Sequence, residues 1–237
     1  MSLVSIVTGG TRGIGFSIAK ALLGQGGRVV ITGRDQSGVD KAVRALAAGG
    51  GADGRIAGSA VDVRQRDRVD ALVADTVAKF GRLDVVINNA GVGVFANIET
   101  MSDEDWSLML DTNLTGVFFV TRAAIPALRA AGGGWIVNIA SLAGRNYFPQ
   151  GGGYCATKAA LIALSESVMQ EVRHDDIRVS VILPGSVATE FSSRSSGDDG
   201  WKLTGDDIAE VVIDLLRHPA RSLPSRVEIR PSRPKKG

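Results

Sequence analysis

A short apolar run, Leu3 to Thr8, leads straight into Gly9-Gly10-Thr11-Arg12-Gly13-Ile14-Gly15 and then into a helical pattern of Phe16, Ile18, Ala19, Leu22 and Leu23. No other feature constrains the fold of this chain as tightly. The run is continuous and β-branched, as a strand buried on both faces requires. Glycines directly after it let the backbone turn sharply and approach a diphosphate, which the positive end of the following helix attracts. The spacing is T-G-x-x-x-G-x-G. Gly132 to Gly134 and Gly151 to Gly153 are glycine runs too and read as plain loops; the position after the first strand sets the N-terminal one apart.

The same alternation runs to the end of the chain. Strands are expected at Leu3–Thr8, Arg28–Thr32, Arg55–Val63, Asp84–Asn88, Trp135–Ala140, Ile177–Leu183 and Arg226–Ile229, with helices between them. Ser37–Ala48 and Gln65–Phe80 are two of the helices. Ser102-Asp103-Glu104-Asp105 reads as a capping box opening a long third one that contains Asn113 and Pro126. A further helix starts at Tyr154 and the last spans Thr204–Arg217. Such alternation predicts one α/β domain over residues 1–237, a doubly wound, mostly parallel seven-stranded sheet with helices on both faces. Residues 189–204 read as a polar loop, and the basic, proline-rich stretch from Arg230 through 237 as a solvated tail.

Composition narrows the classes. The chain has 237 residues, 44% of them hydrophobic and 22% charged, enough for a large core. Twenty-seven basic against 25 acidic residues argue against a nucleic-acid or membrane-surface protein. One cysteine, Cys155, excludes an internal disulfide framework, and two distant histidines, His174 and His218, make no metal cluster. No secretory signal pattern opens the chain, and no apolar run approaches the roughly 20 residues that span a bilayer. A cytoplasmic protein without nucleic-acid or membrane partners is expected.

Candidate chemistry sits in Tyr154-Cys155-Ala156-Thr157-Lys158. Residues four apart share a helical face. A phenol titrates near about 10, and a neighbouring ammonium favours the phenolate, so the pair is an acid/base unit for a carbonyl or alcohol. Tyr147 has glycine one turn on and no such partner. Ser141 ends the fifth strand at the carboxyl edge of the sheet, where open α/β sheets place ligands. Asn113, inside a helix, needs a reason to be there and reads otherwise as a kink or a solvated core amide. At the second strand end, Arg34 precedes Asp35. Arg34 with Arg12 suits a 2′-phosphate and favours NADP over NAD; the alternative is that Asp35 holds the ribose hydroxyls. Asp62, before Val63, either accepts from an adenine amine or caps the next helix. Asn88-Asn89-Ala90-Gly91 is small enough for close cofactor approach. Val92, Val94, Phe148 and Phe191 are candidates for an apolar substrate wall.

Taken in order, these motifs resemble the short-chain dehydrogenases/reductases of the single-domain type, over nearly the whole chain. The resemblance implies a Rossmann-type fold and a catalytic set of Asn113, Ser141, Tyr154 and Lys158. It implies a nucleotide site at Gly9, Thr11, Arg12, Gly13, Ile14, Gly15, Arg34, Asp62, Val63, Asn89, Ala90 and Gly91, with Tyr154 and Lys158 also reaching the cofactor. Pro184, Gly185, Val187 and Thr189 would hold the nicotinamide, and no metal is implied. In the family's mechanism Tyr154 donates the proton, Lys158 lowers its pKa and holds the nicotinamide ribose, Ser141 orients the substrate oxygen, and Asn113 holds a water that links Lys158 to solvent. Three features depart from the pattern: a short, very polar segment from Thr189 to Thr204, an early C-terminus, and a Gly151–Gly153 approach to the active helix that reads as flexible.

The expected activity is NADP(H)-linked interconversion of a ketone or aldehyde and its alcohol, similar to reductases of 3-oxoacyl thioesters or 3-hydroxy acids, by a homodimer or homotetramer. An NAD-linked alcohol or sugar dehydrogenase is the alternative. A non-catalytic nucleotide-binding regulator is the reading from a different class.

Overall fold

In the computed structural model, which describes residues 2–48, 54–189 and 199–234, the apolar N-terminal run forms β1 (Val4–Val7), buried at every position. The glycine loop turns it into α1 (Gly13–Gly24). There follow β2 (Arg28–Gly33), α2 (Gln36–Ala48), β3 (Ile56–Ala60), α3 (Arg66–Phe80), β4 (Val85–Asn88), α4 (Asp103–Leu110), α5 (Gly116–Ala130), β5 (Gly134–Ile139), α6 (Gly152–Val172), β6 (Ile177–Pro184), α7 (Gly205–Arg217) and β7 (Arg226–Ile229). All strands pair in parallel, in the order β3-β2-β1-β4-β5-β6-β7. Connections leave β1 toward β2 and, from the other side, reach β4. The sheet is therefore wound in two directions, and a crevice opens at the carboxyl ends of β1 and β4.

Alternation along each strand sorts the core into two layers. Val7, Ile31, Ile87, Val137 and Ile182 face α1, α2 and α7, meeting Ile18, Leu22, Leu46 and Val212. Ile6, Val30, Val86, Ile136 and Val179 face α3, α5 and α6, meeting Leu72, Val120, Leu128 and Val168. Each such aliphatic side chain, fully buried, contributes about 1.5–3 kcal/mol. The second layer also carries a polar row: Asn88 Nδ2 donates to Asn138 Oδ1 at 2.8 Å, and Asn138 Nδ2 to Ser165 Oγ at 2.8 Å. The row ties β4, β5 and α6 together in one register.

Three expectations change. β3 stops at Ala60, because its partner β2 ends opposite, at Gly33. The long helix opened by Ser102, whose Oγ accepts from Asp105 N–H, is broken into α4 and α5 by a π turn over Asp111–Thr115, and Asn113 lies in that turn. Glycines before Tyr154 pack rather than flex. A Cβ on Gly151 would sit 2.6 Å from the Phe148 ring, and one on Gly153 2.4 Å from Met109 Cε. The segment from Arg230 is anchored only at its start, where the Ile229 carbonyl accepts from Gly185 N–H at 2.8 Å and Pro231 packs against Gly185; Arg230 and residues 232–234 are exposed.

Candidate active site

A cleft of about 1250 Å³ runs along the carboxyl edge of the sheet, from the glycine loop to the start of α6. At its nucleotide end the shape is set by backbone. Gly9 and Gly13 have φ of +63° and +54°, a left-handed conformation that glycine adopts without strain. Gly15 does not line the cleft. It is where α1 presses on the loop: a Cβ there would lie 2.4 Å from Asn89 Nδ2 and 2.5 Å from the Gly9 carbonyl. Asn89 Nδ2 donates to the carbonyls of Thr8 and Gly9, and Thr8 Oγ1 accepts from Asn89 and Ala90 N–H. The Asn-Asn-Ala-Gly stretch thus serves twice, its first asparagine stitching the sheet and its second holding the loop. No side chain caps α1 and its first turn has no acid, so the positive helix end faces the cleft.

Further along this end lie Thr11, Arg12, Ile14, Arg34, Lys41, Asp62 and Val63. Asp35 is committed elsewhere: its Oδ1 accepts from Gly38 N–H at 2.7 Å and Ser37 Oγ at 2.9 Å, at the start of α2. Those bonds, the backbone one first, hold its carboxyl below the usual range. Asp62 does not cap α3, whose N-cap is Gln65. It pairs with the Arg64 guanidinium at 2.6 Å, which lowers its pKa.

The other end is built of buried side chains. Gly144 lets the turn after Ser141 touch α6, since a Cβ there would lie 2.8 Å from the Lys158 carbonyl. This contact brings the Ser141 hydroxyl beside the Tyr154 phenol, where it works to lower the phenol's pKa. Ser141 Oγ accepts from Ala143 N–H, leaving its proton free to point at the phenol. Lys158 Nζ lies 5.8 Å from the centroid of the Tyr154 ring and donates to the Ile139 carbonyl at 2.9 Å. The Asn113 amide does not line the cleft. It clamps the loop after β4, accepting from Val92 N–H and donating to the Val92 carbonyl, each at 2.8 Å, and it also donates to Thr157 Oγ1. The π turn swings Asn113 inward, and its side chain braces the loop after β4 against α6.

Electrostatics at this end differ from expectation in their cause. Burial raises the Tyr154 pKa to about 12, with the Ser141 hydrogen bond working against it. Burial also depresses Lys158 to about 8. Both groups resist charge because the protein has replaced their water.

Of the expected site residues, Gly9, Thr11, Arg12, Gly13, Ile14, Arg34, Asp62, Val63, Asn89, Ala90, Gly91, Ser141, Tyr154, Lys158, Pro184, Gly185, Val187 and Thr189 line one cleft, while Asn113 and Gly15 act from behind it. On the substrate side Val92 and Phe148 line it; Val94 instead packs with Met109 and Tyr154, and Phe191 lies outside the described residues. Phe95 was missed. Its ring stands edge-on to Tyr154, centroids 5.5 Å apart, and meets Phe148 at 5.9 Å. Trp201, Lys202, Arg230 and Pro231 also line the cleft; they are remote in sequence and carried no local signal.

Residues 3–199 match the short chain dehydrogenase family model. The chain belongs to that family. It is an oxidoreductase fold throughout: it is 35% identical, over 96% of its own length and 97% of the relative's, to an oxidoreductase from Staphylococcus saprophyticus. A metagenomic short-chain oxidoreductase in complex with NADP superposes with a TM-score of 0.85 at 37% identity, covering 98% of this chain and 99% of that one. A 3-ketoacyl-(acyl-carrier-protein) reductase from Brucella melitensis complexed with NADH superposes with a TM-score of 0.86 at 28% identity, covering 97% of each. Among the described residues no helix is long and apolar enough to cross a membrane.

Proposed function

We propose that this short-chain dehydrogenase reduces a ketone or aldehyde to an alcohol, or runs the reverse, with NADP(H). The observation that carries the reading is the Ser141–Tyr154 hydroxyl pair, with Lys158 beside it, in the same cleft as the glycine loop. The residues fit a dinucleotide. Left-handed glycines and the open start of α1 suit a diphosphate. Asp62 and Val63 border the adenine position, and Gly91, Pro184, Gly185, Val187 and Thr189 the nicotinamide. The nucleotide, when bound, supplies or accepts the hydride.

The protein's part is position and protons. Tyr154 Oη gives its proton to the carbonyl oxygen and takes it back in oxidation. Ser141 Oγ–H orients that oxygen. A phenol held protonated to about 12 remains an acid donor throughout the neutral range. Lys158 is fixed by Ile139, and Asn113 braces Thr157 and Val92 so that α6 and the loop after β4 keep their spacing. The apolar wall of Phe95 and Phe148 excludes water from the reacting carbon.

Arg12 and Arg34 favour NADP because Asp35, the competing ribose ligand, is spent on the start of α2. The NADP-bound metagenomic relative agrees with this preference, and the NADH-bound reductase keeps an NAD-linked dehydrogenase as the second reading. As in the family, subunits would associate through α4–α5 and α6.

The test is consumption of NADPH and of NADH by the purified protein, against ketones, aldehydes and 3-oxo thioesters, with Tyr154→Phe as the blank. Turnover with NADPH that disappears in the variant supports the reading. Binding of neither nucleotide would sink it.

A further inference from the structure

The segment after β7 places a guanidinium in the cleft. Arg230 lines it together with Pro231 and Pro234. Its backbone is not free to wander. The Ile229 carbonyl holds Gly185 N–H, Pro231 has a fixed φ, and its ring lies close enough to Gly185 that a Cβ there would meet Cδ at 3.1 Å. Gly185 itself follows β6, beside the turn that carries Ser141: Leu142 Cδ1 lies 3.3 Å from the same point. Arg230 therefore belongs to the chemistry end.

The charges around it do not balance. Arg230 Nη2 donates to Glu228 Oε2 at 2.9 Å, and Arg145 Nη1 donates to Glu228 Oε1 at 2.6 Å. Arg145 closes the turn that begins at Ser141. One carboxylate thus serves two guanidiniums, and both hydrogen bonds hold Glu228 ionised. Of the other cations lining this end, Lys202 has a counter-ion of its own in Asp199 at 2.6 Å, and Lys158 is buried and held by the Ile139 carbonyl. Among the described residues no carboxylate lines the substrate half; the two lining carboxylates, Asp35 and Asp62, lie at the nucleotide end. The Arg230 side chain is 53% exposed and has only a share of an anion.

We propose that Arg230 is a specificity-determining residue that binds the carboxylate of an oxo-acid substrate, so that the preferred carbonyl compounds carry an acid group. The proposal rests on the carbonyl-reductase reading above. A guanidinium matches a carboxylate through two parallel hydrogen bonds, and the apolar wall of Phe95 and Phe148 offers the charged end of the substrate no partner, whereas Arg230 does. Arg145 maintains the excess charge by competing for Glu228.

The experiment compares acetoacetate and levulinate, each with its methyl ester, in NADPH-linked reduction. Wild type is expected to prefer the acids in kcat/KM by about tenfold, the size of one charge-assisted pair. Arg230→Gln should remove the preference by raising KM for the acids, with the esters and the NADPH Kd unchanged. Glu228→Gln, which frees Arg230, should enlarge it. These opposite signs separate substrate binding from a structural role of the ion triad. Equal use of acid and ester by wild type, or a preference that survives Arg230→Gln, would overturn the proposal. The Kd of each compound for the NADPH-bound protein, read from nucleotide fluorescence, decides the same ratio without turnover. If the acids bind tenfold better through Arg230 and none is reduced, the anion site stands and the reductase reading fails; equal Kd values reject the anion site.

Discussion

The two ends of the cleft are built on opposite principles. The nucleotide end is made by leaving side chains out: Gly9 and Gly13 take left-handed turns, Gly15 lets α1 touch the loop, and the charges of Arg12, Arg34 and Asp35 sit at the surface. The chemistry end is made by burying side chains that ordinarily stay wet. Lys158 is 5% exposed, Tyr154 9% and Asn113 not at all. Where water screens, one charge more or less changes affinity modestly. Where the protein has excluded water, the same change alters the chemistry itself.

The contrast is sharpest at Tyr154. Tyr154→Phe keeps the edge contact with Phe95 but removes the proton donor, and should lower kcat by about 10²–10⁴-fold while the NADPH Kd stays put. Steady-state kinetics beside a nucleotide titration check this; a nearly unchanged kcat would place the acid elsewhere.

At the nucleotide end the largest effect should come from adding one methyl group. Gly15→Ala forces a carbon into space held by Asn89 Nδ2 and the Gly9 carbonyl, costing about 1–3 kcal/mol and weakening NADPH binding with kcat at saturation preserved. A variant that binds and melts like the parent would mean the loop is softer than its contacts imply.

Lys158→Met turns the contrast into a pH experiment. The lysine pKa falls from its ordinary 10.5 to about 8 on folding, so between those values the unfolded chain binds the extra proton and stability rises with pH. Tyr154 runs the other way, losing stability from about 10 to about 12. Removing the lysine should therefore stabilise the protein near neutrality by on the order of 1–3 kcal/mol, a gain that shrinks as pH climbs through that window, while turnover is lost. Urea midpoints across pH measure it. In the parent enzyme, carbonyl reduction should be flat below about 8 and decline above as Lys158 loses its charge. Stability of the methionine variant that tracks wild type at every pH would show that the buried ammonium costs nothing.

The smallest effect is expected at the surface. Arg34→Ala should raise the Kd for NADPH about tenfold and leave that for NADH alone, as befits one exposed phosphate contact. Equal loss for both nucleotides would return the ribose to Asp35.

Most of the scaffold was legible in one dimension. Strand and helix periods are local, and so is the glycine loop, because backbone conformation there is decided by neighbours a few residues away. The α3, α7 and β7 regions emerge within a residue or two of expectation for that reason. Tyr154 and Lys158 share a face by helical geometry alone, and Ser141 stands at a strand end by position alone.

Tertiary structure decided what depends on distant neighbours. The bracing role of Asn113 could not be read from its place in a helix, since Val92 and Thr157 reach it only through the π turn. Gly151 to Gly153 looked flexible and are close contacts, because the absence of a Cβ reads identically in a loop and under a methionine. Burial is the largest influence on the Tyr154 pKa, and burial is a property of the whole fold that a Tyr–Lys spacing does not reveal. Phe95 and Arg230 gave no local sign; one is aimed by an irregular loop and the other is carried in by the last strand. Periodicity and glycine placement determine the frame of this protein, while desolvation and the meeting of remote segments determine its chemistry, because a sequence records bonds along the chain and not the water that folding removes.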